Sequence, residues 1–202
     1  MLFDDTYKTV QGRSEGLYKE KGSRFIAVAF PVCSEEEVKE RLAELRKEYH
    51  DARHHCYAYI LGPSKDAYRI NDDGEPSGTA GRPIHGQLMS KDLTNTLVVV
   101  IRYFGGIKLG VSGLINAYKT AAKDALENAS IVEKTVNDKF RIHFGFSDMN
   151  AVMQILKDSY VQILEQTFET DYVITFTVRH REAERIVTAL KKVSTVKLEP
   201  IY

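Results

Sequence analysis

Leu97-Val-Val-Val-Ile-Arg-Tyr-Phe-Gly-Gly-Ile-Lys-Leu-Gly-Val-Ser-Gly113 decides how this chain is read. Its first five residues form an apolar, β-branched run that predicts a buried strand over Leu97–Arg102 and is far too short to span a membrane. The run breaks into a glycine-rich stretch from Phe104 to Gly113, and a helix is expected from about Leu114 to Asn128. Leu114, Ala117, Tyr118, Ala121 and Ala125 recur there at helical spacing, uninterrupted by Gly or Pro.

A glycine loop that opens a helix exposes free backbone N–H groups at the positive end of the helix dipole, which suits phosphate or carboxylate. The charge pattern agrees: between Asp92 and Asp124 stand Arg102, Lys108, Lys119 and Lys123 and no acidic residue. Neither nucleotide motif fits. Val111-Ser112 follows Gly110 where a P-loop needs Lys and then Ser or Thr, and no Gly-x-Gly spacing occurs. Two readings stay open, an anion site and a tight strand-to-helix turn that merely needs glycine.

Upstream, Ser23–Phe30 reads as a strand ended by Pro31, and Ser34-Glu-Glu-Glu37 as a capping box. Val38, Leu42, Leu45 and Tyr49 give the following helix one apolar face. His55–Ile60 is the next strand, closed by Gly62-Pro63. From Asn71 to Gly86 the Gly, Pro and small polar residues predict a long loop. Downstream, a boundary falls near Glu133–Val136. Beyond it the order is strand Lys139–Phe146, helix Met149–Asp158 capped by Ser147, strands Val161–Phe168 and Tyr172–Val178, helix Glu182–Lys192 and strand Thr195–Leu198. That β-α-β-β-α-β order is the ferredoxin-like arrangement.

The chain has 202 residues with 28 basic and 28 acidic side chains, so any contact with nucleic acid must come from a local patch. Its two cysteines, Cys33 and Cys56, are too few for a disulfide framework or a multi-cysteine zinc site. Met1-Leu-Phe-Asp-Asp-Thr-Tyr7 is acidic and leads into no apolar segment, so no targeting signal is expected.

Arg53-His-His-Cys56 could in principle supply a nucleophile with a base. On a strand, however, His54 and Cys56 share one face while His55, Tyr57 and Tyr59 share the other, so Cys56 is expected to be a packing residue. Asn71-Asp-Asp-Gly74 lacks the ligand spacing of a calcium loop. It reads as a turn, with a carboxylate of Asp72, Asp73 or Glu75 available to Arg82 or Arg102.

Taken together, Arg53-His-His-Cys-Tyr-Ala-Tyr59, Asp73-Gly-Glu-Pro-Ser-Gly-Thr-Ala-Gly-Arg-Pro83 and Arg102-Tyr-Phe-Gly-Gly-Ile-Lys-Leu-Gly110, with Gly113-Leu114 and Ala117-Tyr118, closely resemble the YigZ/IMPACT family. One departure is Val111-Ser112, where members often carry Ala or Gly. The resemblance implies an α+β protein. Its N-terminal α/β domain would be like domain IV of elongation factor G, in a fold shared with a ribosomal protein. Its C-terminal ferredoxin-like domain would be like domain V of that factor. Eukaryotic relatives are translational regulators that use an additional domain to block activation of an amino-acid-starvation kinase, and bacterial relatives are described as nucleic-acid-binding or translation-associated.

The expectation is therefore a cytoplasmic protein of two domains, 1–135 and 136–202, that binds RNA or the ribosome through a Gly-rich, basic surface. Arg102, Tyr103, Gly105, Gly106, Lys108, Gly110 and Gly113 would form its centre, with Arg53, His54, His55 and Arg82 nearby. Arg and Lys would contact phosphates, and Tyr103, Phe104 and His would stack on bases. No catalytic residue, metal, cofactor or membrane contact is expected. The alternatives are a small-molecule hydrolase or phosphotransferase that uses the loop as an anion cradle, and a regulator that binds a protein partner in translation control without nucleic acid.

Overall fold

The computed structural model describes residues 5–168 and 172–201. The first four residues, part of the segment read above for a targeting signal, lie outside the described residues. The chain divides into two compact units, Tyr7–Lys134, and Thr135 onward together with the residues that precede Tyr7.

The first unit holds β1 (Thr6–Val10), β2 (Ser14–Glu20), β3 (Ser23–Pro31), α1 (Glu35–Glu48), β4 (His54–Leu61), β5 (Ala67–Asn71), α2 (Gly81–Ser90), β6 (Thr96–Tyr103), α3 (Gly110–Glu127) and β7 (Ile131–Thr135). Five strands form an antiparallel sheet in the order β2-β3-β6-β4-β5, and β1 pairs with β7. β6 is central, and helices cover both of its faces, which is why its sequence is an unbroken apolar run. Val98 and Val100 join Ala27, Ala29, Cys56, Ala58 and Ile60 in a core shared with α2 and α3. Leu97, Val99 and Ile101 join Val28, Phe30, Tyr57 and Tyr59 in a second core under Val38 and Leu45 of α1. The alternation of β4 places Cys56 and His55 on opposite faces, as its period-two pattern requires.

Small residues set the depth of the α3 packing. A Cβ on Gly16 of β2 would lie 2.2 Å from the backbone nitrogen of Ala125, so this strand and helix touch backbone to backbone. Ser34 caps α1 as expected, accepting from the Glu37 N–H at 3.2 Å, while the Glu37 carboxylate accepts from the Cys33 N–H at 2.7 Å.

Two expectations need correction here. The stretch 71–86 is not all loop, because α2 starts at Gly81 inside it. Pro83 sits in the first helical turn, where its missing N–H would have had no helical partner anyway. The predicted helix after the glycine stretch begins four residues early, at Gly110, so Gly110 and Gly113 belong to α3 and the connecting loop is only 104–109.

The second unit contains β8 (Asn137–Phe144), a 3-10 turn over Phe146–Asp148, α4 (Met149–Asp158), β9 (Gln162–Phe168), β10 (Tyr172–Arg179), α5 (His180–Leu190) and β11 (Lys197–Ile201). The β-α-β-β-α-β order is the expected one, and the sheet runs β11-β8-β10-β9, antiparallel throughout. Phe140, Ile142, Ile174 and Phe176 pack under Val152 and Leu156 of α4 and Ile186 and Leu190 of α5. Asp148, not Ser147, is the cap residue of α4, and its carboxylate reaches across to accept from the Thr195 N–H at 3.1 Å and the Thr195 hydroxyl at 2.7 Å. Asp5 belongs to this unit, gripped by Arg179 through Nε at 2.7 Å and a second nitrogen at 2.8 Å. Among the described residues no helix is long and apolar enough to cross a membrane.

Candidate functional site

Four pieces of the first unit meet around a cavity of about 470 Å³. Arg53 and His54 come from the start of β4, Glu75 and Pro76 from the turn after β5, and Arg102 and Phe104 from the end of β6. Lys108, Leu109, Gly110, Val111 and Leu114 close it at the start of α3. A hollow of about 690 Å³ in the second unit, lined by Met153, Leu156, Lys157 and Tyr160 among others, has Lys157 as its one charged side chain. Asn150 and Gln154 are its other polar side chains besides Lys157 and Tyr160.

The turn after β5 is built by Asp72-Asp-Gly-Glu75. Asp73 and Gly74 both adopt positive φ, +40° and +86°, and the Glu75 N–H donates to the Asp72 carbonyl at 2.9 Å. This is a type I′ turn, which Asp-Gly suits because both central residues must be left-handed. The Asp73 carboxylate accepts the His55 N–H at 2.7 Å, and the Asp73 carbonyl lies 2.8 Å from Nδ1 of His54. The turn is thereby anchored to β4. Asp72 accepts from the N–H groups of Gly78, Ala80 and Gly81 at 2.8, 3.0 and 2.8 Å, so it caps α2 from a distance in sequence.

Anchored in this way, Glu75 points inward. Its Oε1 accepts from a terminal nitrogen of Arg102 at 2.5 Å and from the Tyr118 hydroxyl at 2.8 Å. Both members of the ion pair are buried, at 4% exposure for Glu75 and 8% for Arg102. The Arg102 guanidinium also lies 5.5 Å from the ring centroids of Phe25 and Phe104. Behind it, the Cys56 thiol donates towards the Asp72 carbonyl at 3.0 Å and the Tyr118 hydroxyl at 3.3 Å. Burial pushes the Cys56 thiol well above its usual range, and burial together with the neighbouring Cys56 does the same to Tyr118. A thiol held protonated is a poor nucleophile, so this network is structural chemistry beneath the cavity.

The amino end of α3 differs from that of α2 in having no distant carboxylate, such as Asp72, on its N–H groups among the described residues. Its cap residue is Leu109, no side chain bonds to it, and its first turn holds no acidic residue. The leading N–H groups of an α-helix lack intrahelical partners, and here they border the cavity. Lys108 and Arg53 beside them are exposed and form no ion pair among the described residues. Free helix N–H groups beside cations are features that favour anions in general.

The structure brings Arg53, His54, Arg102, Lys108 and Gly110 together at the cavity. It places others elsewhere. His55 is on the opposite sheet face, 6% exposed, with its pKa lowered by burial and by the charge of Arg46, and it does not line the cavity. Tyr103 also faces the α1 side; its hydroxyl donates to Asp51 at 2.7 Å, which pushes its pKa up to about 12, and Arg24 lies 4.8 Å over its ring. Arg82 is exposed in the first turn of α2 and does not line the cavity. Arg102 does line it, but as the partner of Glu75 and not as a free cation.

The glycines divide by role. A Cβ on Gly105 would fall 2.0 Å from the Gly22 carbonyl carbon, so that glycine permits the loop to lie against the β2–β3 turn. Gly106 and Gly110 have φ of +89° and +72°, and Gly113 packs inside α3 against Leu109. Val111, Leu109 and Pro76 were not expected as cavity walls, and nothing in their sequence pattern distinguishes them. Tyr118 was expected only as part of an apolar helix face. Among the described residues no three His, Cys, Asp or Glu side chains converge in the manner of a metal site.

Comparison with known proteins locates the same segment. The family described as Impact N-terminal domain matches residues 21–126. "IMPACT family member YvyE" of Bacillus subtilis is 41% identical over 129 residues, 64% of this chain and 59% of that protein, so the match spans less than two thirds of the relative. "IMPACT family member YigZ" of Escherichia coli is 33% identical over 151 residues, 74% of each chain. A crystal structure described as that of an hypothetical protein superposes with a TM-score of 0.75 at 26% identity, over 98% of both chains. Every cavity-lining residue, from Arg53 to Leu114, lies within the matched domain, and the chain belongs to the YigZ/IMPACT family.

Proposed function

We propose that this protein acts in translation, in the cytoplasm, by binding RNA or the ribosome at the cavity where α3 begins. The observation that carries the reading is the uncapped amino end of α3, flanked by Arg53 and Lys108 with no acidic residue in its first turn. Backbone N–H groups and two free cations are what a phosphate needs, and the exposed ring of Phe104 offers a surface on which a base can stack. Resemblance to family members that regulate translation supplies the biological setting.

Sedimentation with ribosomes at rising salt tests it. The protein should pellet with ribosomes at low salt and leave them as salt rises, and the exposed variant Lys108→Ala should leave earlier. A protein that stays in the supernatant even at low salt, and retains no RNA, would overturn the reading.

A protein partner is the second reading. Ile107, Val111 and Ile115 are 56%, 61% and 38% exposed, an unusual apolar share for one end of a surface helix. A stable complex that survives both nuclease and high salt would favour it.

A further inference from the structure

We infer that the cavity at the amino end of α3 takes a phosphomonoester, the terminal phosphate of an RNA or of a free nucleotide, in preference to an internal phosphodiester. The inference rests on the anion-binding reading above and specifies its ligand.

The first observation is the contrast between two helix ends. Asp72 fills the amino end of α2 with hydrogen bonds from the cap residue Ala80 and from Gly81, whereas α3, eighteen residues long, leaves its own end free among the described residues.

The second is Arg102. Its side chain is 8% exposed and it makes one hydrogen bond, to Glu75; its Nε–H is fully buried with no partner among the described residues. Buried donors are nearly always satisfied, so one left open on a side chain that lines the cavity points to a ligand that completes it. Two rings flank this guanidinium at 5.5 Å, Phe25, which is fully buried, and Phe104, which is 55% exposed. Rotation of the exposed Phe104 ring, a motion that surface side chains make readily, would uncover its side of the guanidinium to a ligand in the cavity.

Charge then selects among phosphates. Glu75 neutralises Arg102, which leaves Arg53 and Lys108 as two unmatched positive charges beside the helix end. A phosphomonoester carries about 1.5–2 negative charges near pH 7 and matches them. An internal phosphodiester carries one, and would leave a cation unbalanced. At about 470 Å³ the cavity is of small-ligand size, and Pro76, Leu109 and Val111 give it an apolar wall for a base.

The experiment measures binding of the intact protein to a labelled uridine hexamer with a 5′-phosphate, a 3′-phosphate, or hydroxyls at both ends. Adenosine and adenosine 5′-monophosphate are the competitors. One phosphorylated hexamer should bind about tenfold more tightly than the unphosphorylated one, since the extra charge makes charge-assisted hydrogen bonds. The monophosphate should compete where adenosine does not. Binding of the monophosphate without any RNA binding supports the inference with a free nucleotide as the source, and removes the RNA reading. Equal affinity for all three hexamers, without competition by the monophosphate, overturns the inference and leaves RNA binding standing.

Two exposed substitutions locate the site. Val111→Glu puts a carboxylate in the first turn of α3, which should raise the melting temperature while erasing the preference for a terminal phosphate. Lys108→Ala should reduce that preference several-fold. A preference unchanged in both folded variants places the phosphate elsewhere and overturns the assignment.

Discussion

Glu75 and Arg102 meet at 2.5 Å beneath the cavity, 27 residues apart in sequence, with side chains only 4% and 8% exposed. Removing one partner of a buried ion pair leaves the other charge uncompensated in a medium that solvates it poorly. Glu75→Gln, or Arg102→Met, should therefore cost about 3–5 kcal/mol. The double variant should cost clearly less than the sum of the two. Urea denaturation of the four proteins closes the cycle, and strict additivity would show that the pair does not interact.

Tyr118 extends the same network, donating to Glu75 at 2.8 Å. Tyr118→Phe keeps the packing against Phe25, whose ring centroid lies 5.2 Å away, and removes only the hydroxyl. The hydroxyl donates to Glu75 and accepts from Cys56, so the expected loss is about 1–2 kcal/mol, the usual net value of one strong and one weak hydrogen bond. No change in the denaturation midpoint would contradict the contact.

Cys56 and Cys33 form an internal comparison, since one is buried and the other exposed. Burial raises the thiol pKa of Cys56, so almost none is thiolate at neutral pH and a thiol reagent should label Cys33 fast and Cys56 slowly. Cys56→Ala should cost about 1–2 kcal/mol through lost core contact. Fast labelling at both positions would return Cys56 to consideration as a nucleophile.

For a single-stranded RNA that engages two to four phosphates, log affinity should fall with log salt at a slope of about −1.5 to −3. Lys108→Ala should flatten that slope by about 0.7, provided circular dichroism shows an intact fold. An unchanged slope would take Lys108 out of the interface.

Asp5 supplies a pH test of the second unit. Its hydrogen bonds to Arg179 hold the folded-state pKa below the ordinary value of 3.8. A carboxylate whose pKa is lowered by folding contributes stability that is fully present above its unfolded pKa and is lost as pH falls through the folded one. Melting temperatures of the wild type and Asp5→Asn should differ by a constant amount near neutrality and converge in strong acid. A difference that persists at the lowest pH would assign the effect to packing. The same contact refines the expected module 136–202, which should fold alone but less stably than a version that retains Asp5.

Local signals made much of this protein legible from its sequence. The apolar run Leu97–Ile101 announced a central strand because both of its faces are covered, and alternation in β4 separated His55 from Cys56 because side chains on a strand have a period of two. Ser34 and its three glutamates marked the start of α1, and the helix and strand order after Val136 was readable because each apolar face is complete within its own element. Lys108 and Gly110 were named from charge and glycine content, both properties of a residue and its near neighbours, whereas Arg53 and His54 joined them through the motifs of the family resemblance.

Tertiary structure decided what depends on partners distant in sequence. α2 was hidden because its Gly and Pro content reads as loop, and the carboxylate that caps it comes from Asp72. Arg102 was read both as a phosphate contact and as a partner for Asp72, Asp73 or Glu75, and only folding chose Glu75, since a charge in sequence carries no mark of which partner will neutralise it. Tyr103 and Gly105 followed the same logic, one turned to Asp51 and the other pressed against Gly22. Chain periodicity therefore determined which residues face inward, and only the assembled sheet and helices determined which of the charges remain free to meet a ligand.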